Sequence, residues 1–141
     1  MQTKIVPIED TAARQAELAA AGDILRSGGL VAFPTETVYG LGANGLDAEA
    51  AAGIYAAKGR PSDNPLILHI ADRSMLDTIV AEVPEMAEKL LAAFCPGPIT
   101  LSMKRTEAVP LGITGGLDTV GIRMPDNDIA RALIRSAGVP I

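Results

Sequence analysis

DAEAAAGIYAAKGRPSDNPLILHI, residues 47–70, changes character twice. Asp47 is placed to cap a helix running to Lys58, with Glu49 in the first turn and Gly59 just past the end. Leu66 to Ile70 then reads as a strand. Between them, KGRPSDNPL (58–66) sets two cations around a glycine and adds two prolines, which is the composition of a loop. Lys58 and Arg60 have only Asp63 nearby in the sequence to neutralise them, so the loop suits either a surface turn or a site that holds an anion.

The same rhythm extends outward in both directions. Lys4–Ile8 predicts a short strand, and Thr11–Ser27 a helix rich in Ala and Leu that stops at Gly28-Gly29. Leu30–Phe33 is a continuous apolar run, as in a strand covered on both faces. Pro84 starts a helix over EMAEKLLAAF that ends at Pro96-Gly97-Pro98. Ile99–Lys104 alternates, with Ile99, Leu101 and Met103 on one face and Thr100, Ser102 and Lys104 on the other. Val120–Met124 is a further strand, and Asp126 and Asp128 open a helix that Gly138 ends. Alternating strands and helices predict one α/β domain with helices packed on a largely continuous sheet. The sequence stops at Val139-Pro140-Ile141, at the onset of a strand, so residues 1–141 read as a single domain cut before its last strand or strands.

Composition narrows the function. A hydrophobic content of 48% in 141 residues provides a core, and with only 3% aromatics that core is built of Ala, Val, Ile and Leu. The net charge of −5 argues against stable binding of duplex nucleic acid, which requires a dominant basic surface. Phe33, Tyr39, Tyr55 and Phe94 are the full aromatic set, too few for a stacking platform. A single cysteine, Cys95, excludes an intrachain disulfide framework and a thiolate metal cluster. MQTKIVPIEDTAARQ has no signal-peptide layout and no apolar run is long enough to span a bilayer, so a cytoplasmic domain without membrane attachment is expected.

Several motifs bear on chemistry. Gly40-Leu41-Gly42-Ala43-Asn44-Gly45 matches G-x-G-x-x-G. PTETVY separates it from the preceding strand and the helix waits for Asp47, so these glycines read as a turn and a strand close to other backbone. His69, the only histidine, shares a strand face with Ile67, opposite Leu66, Leu68 and Ile70, and no second ligand stands at metal spacing. Cys95 reads as a buried small hydrophobe. Thr35, Thr37 and Tyr39 alternate, so an extended segment would set three hydroxyls on one side, for a polar ligand or for solvent. Arg123 lies within a strand beside core residues and needs a carboxylate or phosphate partner, which the strand itself lacks.

Taken together, FPTETVYGLG (33–42), KGRPSDNPL (58–66), CPGPITL (95–101) and TVGIRMP (119–125) resemble the YrdC-type threonylcarbamoyl-AMP synthases over nearly the whole chain. The resemblance implies a YrdC-like open, twisted α/β sheet with helices packed on it and a concave basic cavity. It implies conversion of L-threonine, bicarbonate and MgATP to threonylcarbamoyl-AMP and pyrophosphate, with a partner transferase completing threonylcarbamoyladenosine on tRNA. Mg²⁺ then enters with ATP, and no protein metal site is expected. Lys58 and Arg60 would act at the phosphates and the carbamate-forming centre. Thr35 and Tyr39 would line the threonine site, with His69 and Arg123 beside it, and Asn64 and Thr119 would serve the nucleotide. The family's second signature, Ser-x-Asn, falls beyond residue 141, and Cys95 stands where the family has an aromatic residue. Three alternatives stay open: an RNA-binding module, a paralogue performing another carbamoyl or nucleotide transfer, and an inactive fragment.

Overall fold

A computed structural model describes residues 2–141, and in it the helix that follows Asp47 forms as its sequence dictates. Helix α2 spans Ala48–Lys58, and Asp47 accepts hydrogen bonds from the backbone N–H groups of Glu49 at 2.9 Å and Ala50 at 3.2 Å. Gly59 ends it in the left-handed region at φ +60°. The helix preceding it, α1, spans Gln15–Arg26 and starts later than its composition predicts. Asp10 Oδ1 instead accepts from Ala12 N–H at 2.9 Å, which commits residues 11–14 to a turn.

Strands β1 (Val31–Phe33) and β2 (Gly40–Gly42) form an antiparallel pair in which Phe33 faces Gly40. Strand β3 (Ile67–His69) runs parallel to β5 (Thr119–Arg123), and β4 (Leu101–Lys104) runs antiparallel to β5 on its other side. The strands therefore divide into a two-stranded and a three-stranded sheet rather than one continuous sheet. At the outer edge of β3, His69 and Ile141 exchange both backbone hydrogen bonds, at 2.6 and 3.1 Å, and Pro140 O accepts from Gly45 N–H at 2.8 Å. Residues 140–141 thus pair with both halves.

Two further expectations are corrected. Lys4–Ile8 forms no strand: Ile5 is 89% exposed, and without a neighbouring strand to complete its backbone pairing the segment stays irregular. Strand β1 is not covered on both faces, because Ala32 is exposed while Phe33 is buried, as an antiparallel edge pair allows.

The core lies on one face of the three-stranded sheet. Leu68, Ile70, Met103, Val120 and Ile122 pack there with Leu76 and Ile79 of the one-turn helix α3 (Leu76–Ile79) and with Ala87 and Leu91 of α4 (Glu85–Phe94). Full burial of each large aliphatic side chain stabilises the fold by roughly 1.5–3 kcal/mol. A second cluster joins α1 to α5 (Asp128–Ala137) through Leu18, Leu25, Leu133 and Ile134. Gly22 makes that approach possible, since a Cβ there would lie 2.7 Å from the carbonyl carbon of Ser136. Asn127, rather than Asp126, caps α5 by accepting from Ala130 N–H at 3.0 Å. The opposite face of the sheet carries Ile67, His69, Ser102, Thr119 and Arg123, and this face positions the candidate site.

Candidate functional site

Where β2, the loop after α2 and strand β3 meet, they enclose a cavity of about 190 Å³. Its walls are largely backbone and aliphatic, from Gly40–Gly45, Ile54, Leu66 and Leu68. Phe33 closes one side: its ring lies over Gly40 and Gly42, where added Cβ atoms would meet it at 3.0 and 2.9 Å. The glycines thus form a strand and a turn, as read from the sequence; backbone approaches closely at Gly45, from Pro140, whereas at Gly40 and Gly42 the close neighbour is the Phe33 ring.

Among the described residues lining this cavity, the cations are Lys58 and Arg60. Lys58 is the last residue of α2, and its ammonium suits the negative end of the helix dipole. Arg60 is half-buried and donates from Nη2 to Pro65 O at 2.8 Å, while its Nε is buried with no partner. Among the described residues no carboxylate lies within 4 Å of either cation, although Asp63 is three residues from Arg60. A guanidinium held at a cavity wall with an unused N–H is able to accept an anion. Tyr55 fixes the loop that carries it. The buried Tyr55 hydroxyl reaches Asn64 O at 3.0 Å and Gly112 O at 3.3 Å, and Leu66 N–H donates to Ile113 O at 2.8 Å. Burial pushes the Tyr55 phenol up, opposed by the charge of Arg60 and aided by that of Asp63.

His69 lines the same cavity and meets the Phe33 ring edge-on, with centroids 5.6 Å apart. Across the parallel pair it is level with Arg123. Burial, followed by the adjacent Arg123 charge, pushes the imidazole down to about 4, so it is neutral at neutral pH. Arg123 finds its acid in Glu36, 87 positions away: Nη2 lies 2.8 Å from Oε1, and 3.2 Å from Thr37 Oγ1. Burial raises the Glu36 carboxyl, but hydrogen bonds from Arg123 and its own backbone N–H, with the Arg123 charge, leave it below the usual carboxylate value.

The remaining predicted residues are placed less uniformly. Residues 36–38 form a bend rather than an extended segment, in which the Thr35 and Thr37 hydroxyls meet at 3.1 Å. The Thr35 hydroxyl is committed to that bend: it donates to Val38 O at 2.6 Å and accepts from the N–H groups of Thr37 and Val38 at 3.2 Å. Tyr39 is 79% exposed. Asn64 is exposed, and its backbone carbonyl serves Tyr55. Thr119 pairs with Lys104 at the far end of β5 from Arg123 and does not line the cavity. The structure thus gathers Lys58, Arg60 and His69 at one cavity with Arg123 beside them. Glu36, Tyr55 and Phe33 adjoin these residues and were not singled out in the sequence. The need of Arg123 for an acid was the one available signal for Glu36.

Cys95 packs partly buried against the main core, and burial pushes its thiol up, away from a reactive thiolate. No helix is long and apolar enough to cross a membrane among the described residues.

Comparison with known proteins gives this arrangement a family. A family model named Sua5/YciO/YrdC and described as telomere recombination matches residues 23–141. The threonylcarbamoyl-AMP synthase of Pyrococcus abyssi is 56% identical over 121 residues, 86% of this chain and 36% of the relative. The threonylcarbamoyl-AMP synthase of Bacillus subtilis is 52% identical over 126 residues, 89% of this chain and 36% of the relative. The solved structure of P. abyssi Sua5 complexed with L-threonine superposes with a TM-score of 0.87 at 53% identity, covering 89% of this chain and 37% of that one. The chain spans little more than a third of the length of these relatives. It belongs to the Sua5/YciO/YrdC family and carries its fold.

Proposed function

We propose that the chain contributes the L-threonylcarbamoyladenylate synthase reaction: L-threonine, bicarbonate and ATP to threonylcarbamoyl-AMP, pyrophosphate and water. The observation that carries this reading is the pair of cations at the cavity, Lys58 and Arg60, without a carboxylate of the chain to neutralise them. Two relatives that are 56% and 52% identical over the aligned residues are threonylcarbamoyl-AMP synthases, and the P. abyssi protein was crystallised with L-threonine.

In this mechanism the free amine of threonine forms its N–C bond to the carbon of bicarbonate or carbon dioxide, giving a carbamate with release of water when bicarbonate reacts. A carbamate oxygen then attacks the α-phosphorus of ATP, and the bond to the bridging oxygen of pyrophosphate breaks. No step needs a covalent enzyme nucleophile, so the work left to the protein is positioning and stabilisation of charge. Arg60 presents a planar fork to phosphate oxygens and Lys58 a mobile point charge. Arg123 holds a substrate carboxylate, His69 forms part of the wall, and the segment of Thr35 and Tyr39 flanks threonine. Thr119, at the far end of β5, and the exposed Asn64 lie outside the cavity and take no part in this reading. Magnesium enters as MgATP, carried on the ATP phosphates. The product passes to a tRNA-modifying transferase in the cytoplasm.

The test is steady-state pyrophosphate release by wild type and Arg60→Lys. Loss of the fork lowers kcat/KM about ten- to hundredfold. An unchanged kcat/KM removes Arg60 from the mechanism.

A further inference from the structure

The Glu36–Arg123 pair is incomplete on both sides. Arg123 gives Glu36 a single hydrogen bond, and Glu36 Oε2 and Arg123 Nε are both buried without partners. The two side chains are only 17% and 16% exposed, respectively. Such a pair bears the desolvation of both charges while leaving part of its bonding capacity unused. An ion pair serving only as an anchor does better in the bidentate form that an arginine fork offers a carboxylate. The fork of Arg123 is therefore open to a better acceptor than the one it holds.

The setting allows an exchange. Glu36 lies in the bend between β1 and β2, and the exposed Val38 and Tyr39 follow it at the tip, so releasing it uncovers little apolar surface. The Thr35 hydroxyl holds the bend through Val38 O and the N–H of Thr37, and Arg123 contacts the Thr37 hydroxyl at 3.2 Å, so neither hold requires the Glu36 carboxylate. His69 lines the cavity, and Arg123, level with it on the neighbouring strand, lies one strand beyond the lining residues.

We propose that Glu36 is an internal counter-ion that occupies the anion position on Arg123 and is exchanged for the carboxylate of an incoming ligand. This rests on the assignment of Arg123 to substrate carboxylate binding, and it adds that wild-type affinity is set by competition with Glu36. A ligand that must first displace an occupant has its affinity scaled down by the fraction of the site left free.

The test uses acetate, a bare carboxylate, and separately L-threonine, with the His69 ring signals followed by NMR at neutral pH in wild type, Glu36→Gln and Glu36→Gln/Arg123→Met. Acetate binds Glu36→Gln at least about tenfold more tightly than wild type, and the gain disappears in the double variant. Equal or weaker acetate binding by Glu36→Gln overturns the proposal, as does a gain that survives loss of Arg123. If acetate shows the gain while L-threonine binds none of the three, exchange at Arg123 stands and the threonine reading fails. Should Glu36→Gln not fold, Glu36→Asp withdraws the carboxylate by one methylene and gives a gain in the same direction, and no gain there overturns the proposal.

Discussion

Lowering the pH from 7 to 5 tests how His69 is held. Its ring stands edge-on to Phe33, at 79° between planes, and beside Arg123. Burial first, and the Arg123 charge second, push it from an ordinary 6.5 to about 4. In the unfolded chain the imidazole returns to its ordinary value, so as pH falls the unfolded state takes up the proton first. Stability is therefore full above pH 6.5, declines as pH drops, and the loss is complete near pH 4. Each unit of difference corresponds to about 1.4 kcal/mol, so the step from pH 7 to pH 5 removes about 2 kcal/mol. The carboxylates of Glu17, Glu36 and Asp72 are held below their ordinary values of 4.5, 4.5 and 3.8, so their own stabilisation is lost mainly at lower pH. Urea unfolding at pH 7 and pH 5 of wild type and His69→Gln isolates the effect. The wild type loses about 2 kcal/mol and the variant less than about 0.5 kcal/mol, because its side chain does not titrate. An equal loss in both, or an imidazole titrating near 6.5 by NMR, refutes the burial argument. His69 is the only histidine, so the signal is unambiguous.

Other consequences are local. Tyr55→Phe removes the hydroxyl that reaches Asn64 O and Gly112 O, and urea unfolding should show a loss of about 1–2 kcal/mol; full stability would show that the loop is held by its other contacts. Gly22→Ala improves helix propensity by about 1 kcal/mol but drives a methyl into the backbone of Ser136 and Ala137, at 2.7 and 2.8 Å. Overpacking of about 1–3 kcal/mol prevails, and a raised melting temperature would contradict that close approach. Cys95→Ser leaves pyrophosphate release intact, and its abolition in a folded variant would restore a chemical role for the thiol.

What could be read in advance was whatever local chemistry decides. Asp47 and Gly59 bracket α2, Pro84 precedes α4, and the alternation of Ile99–Lys104 gives the correct faces of β4 because capping and pleat act within a few residues. The side of β3 on which His69 lies followed from the same period of two. The division into two sheets did not follow, since strand pairing is decided by partners far away in sequence. Lys4–Ile8 has strand composition but no partner, and composition alone could not reveal that. At the site, Lys58 and Arg60 stood out because their loop offered them only Asp63 as a neighbouring acid. The bond between Arg123 and Glu36 spans 87 positions, so the need for an acid was legible and its identity was not. The Thr35 hydroxyl illustrates the converse: its place in PTETVYG left a ligand and solvent equally open, and its hydrogen bonds to the chain's own bend were not legible.

The central claim is that the two uncompensated cations of KGRPSDNPL serve threonine-dependent adenylylation. It is tested most directly by pyrophosphate release from MgATP and bicarbonate, with and without L-threonine. Release rises with L-threonine, and Lys58→Ala and Arg60→Lys diminish it. Release independent of threonine, or none in a folded chain, would contradict it.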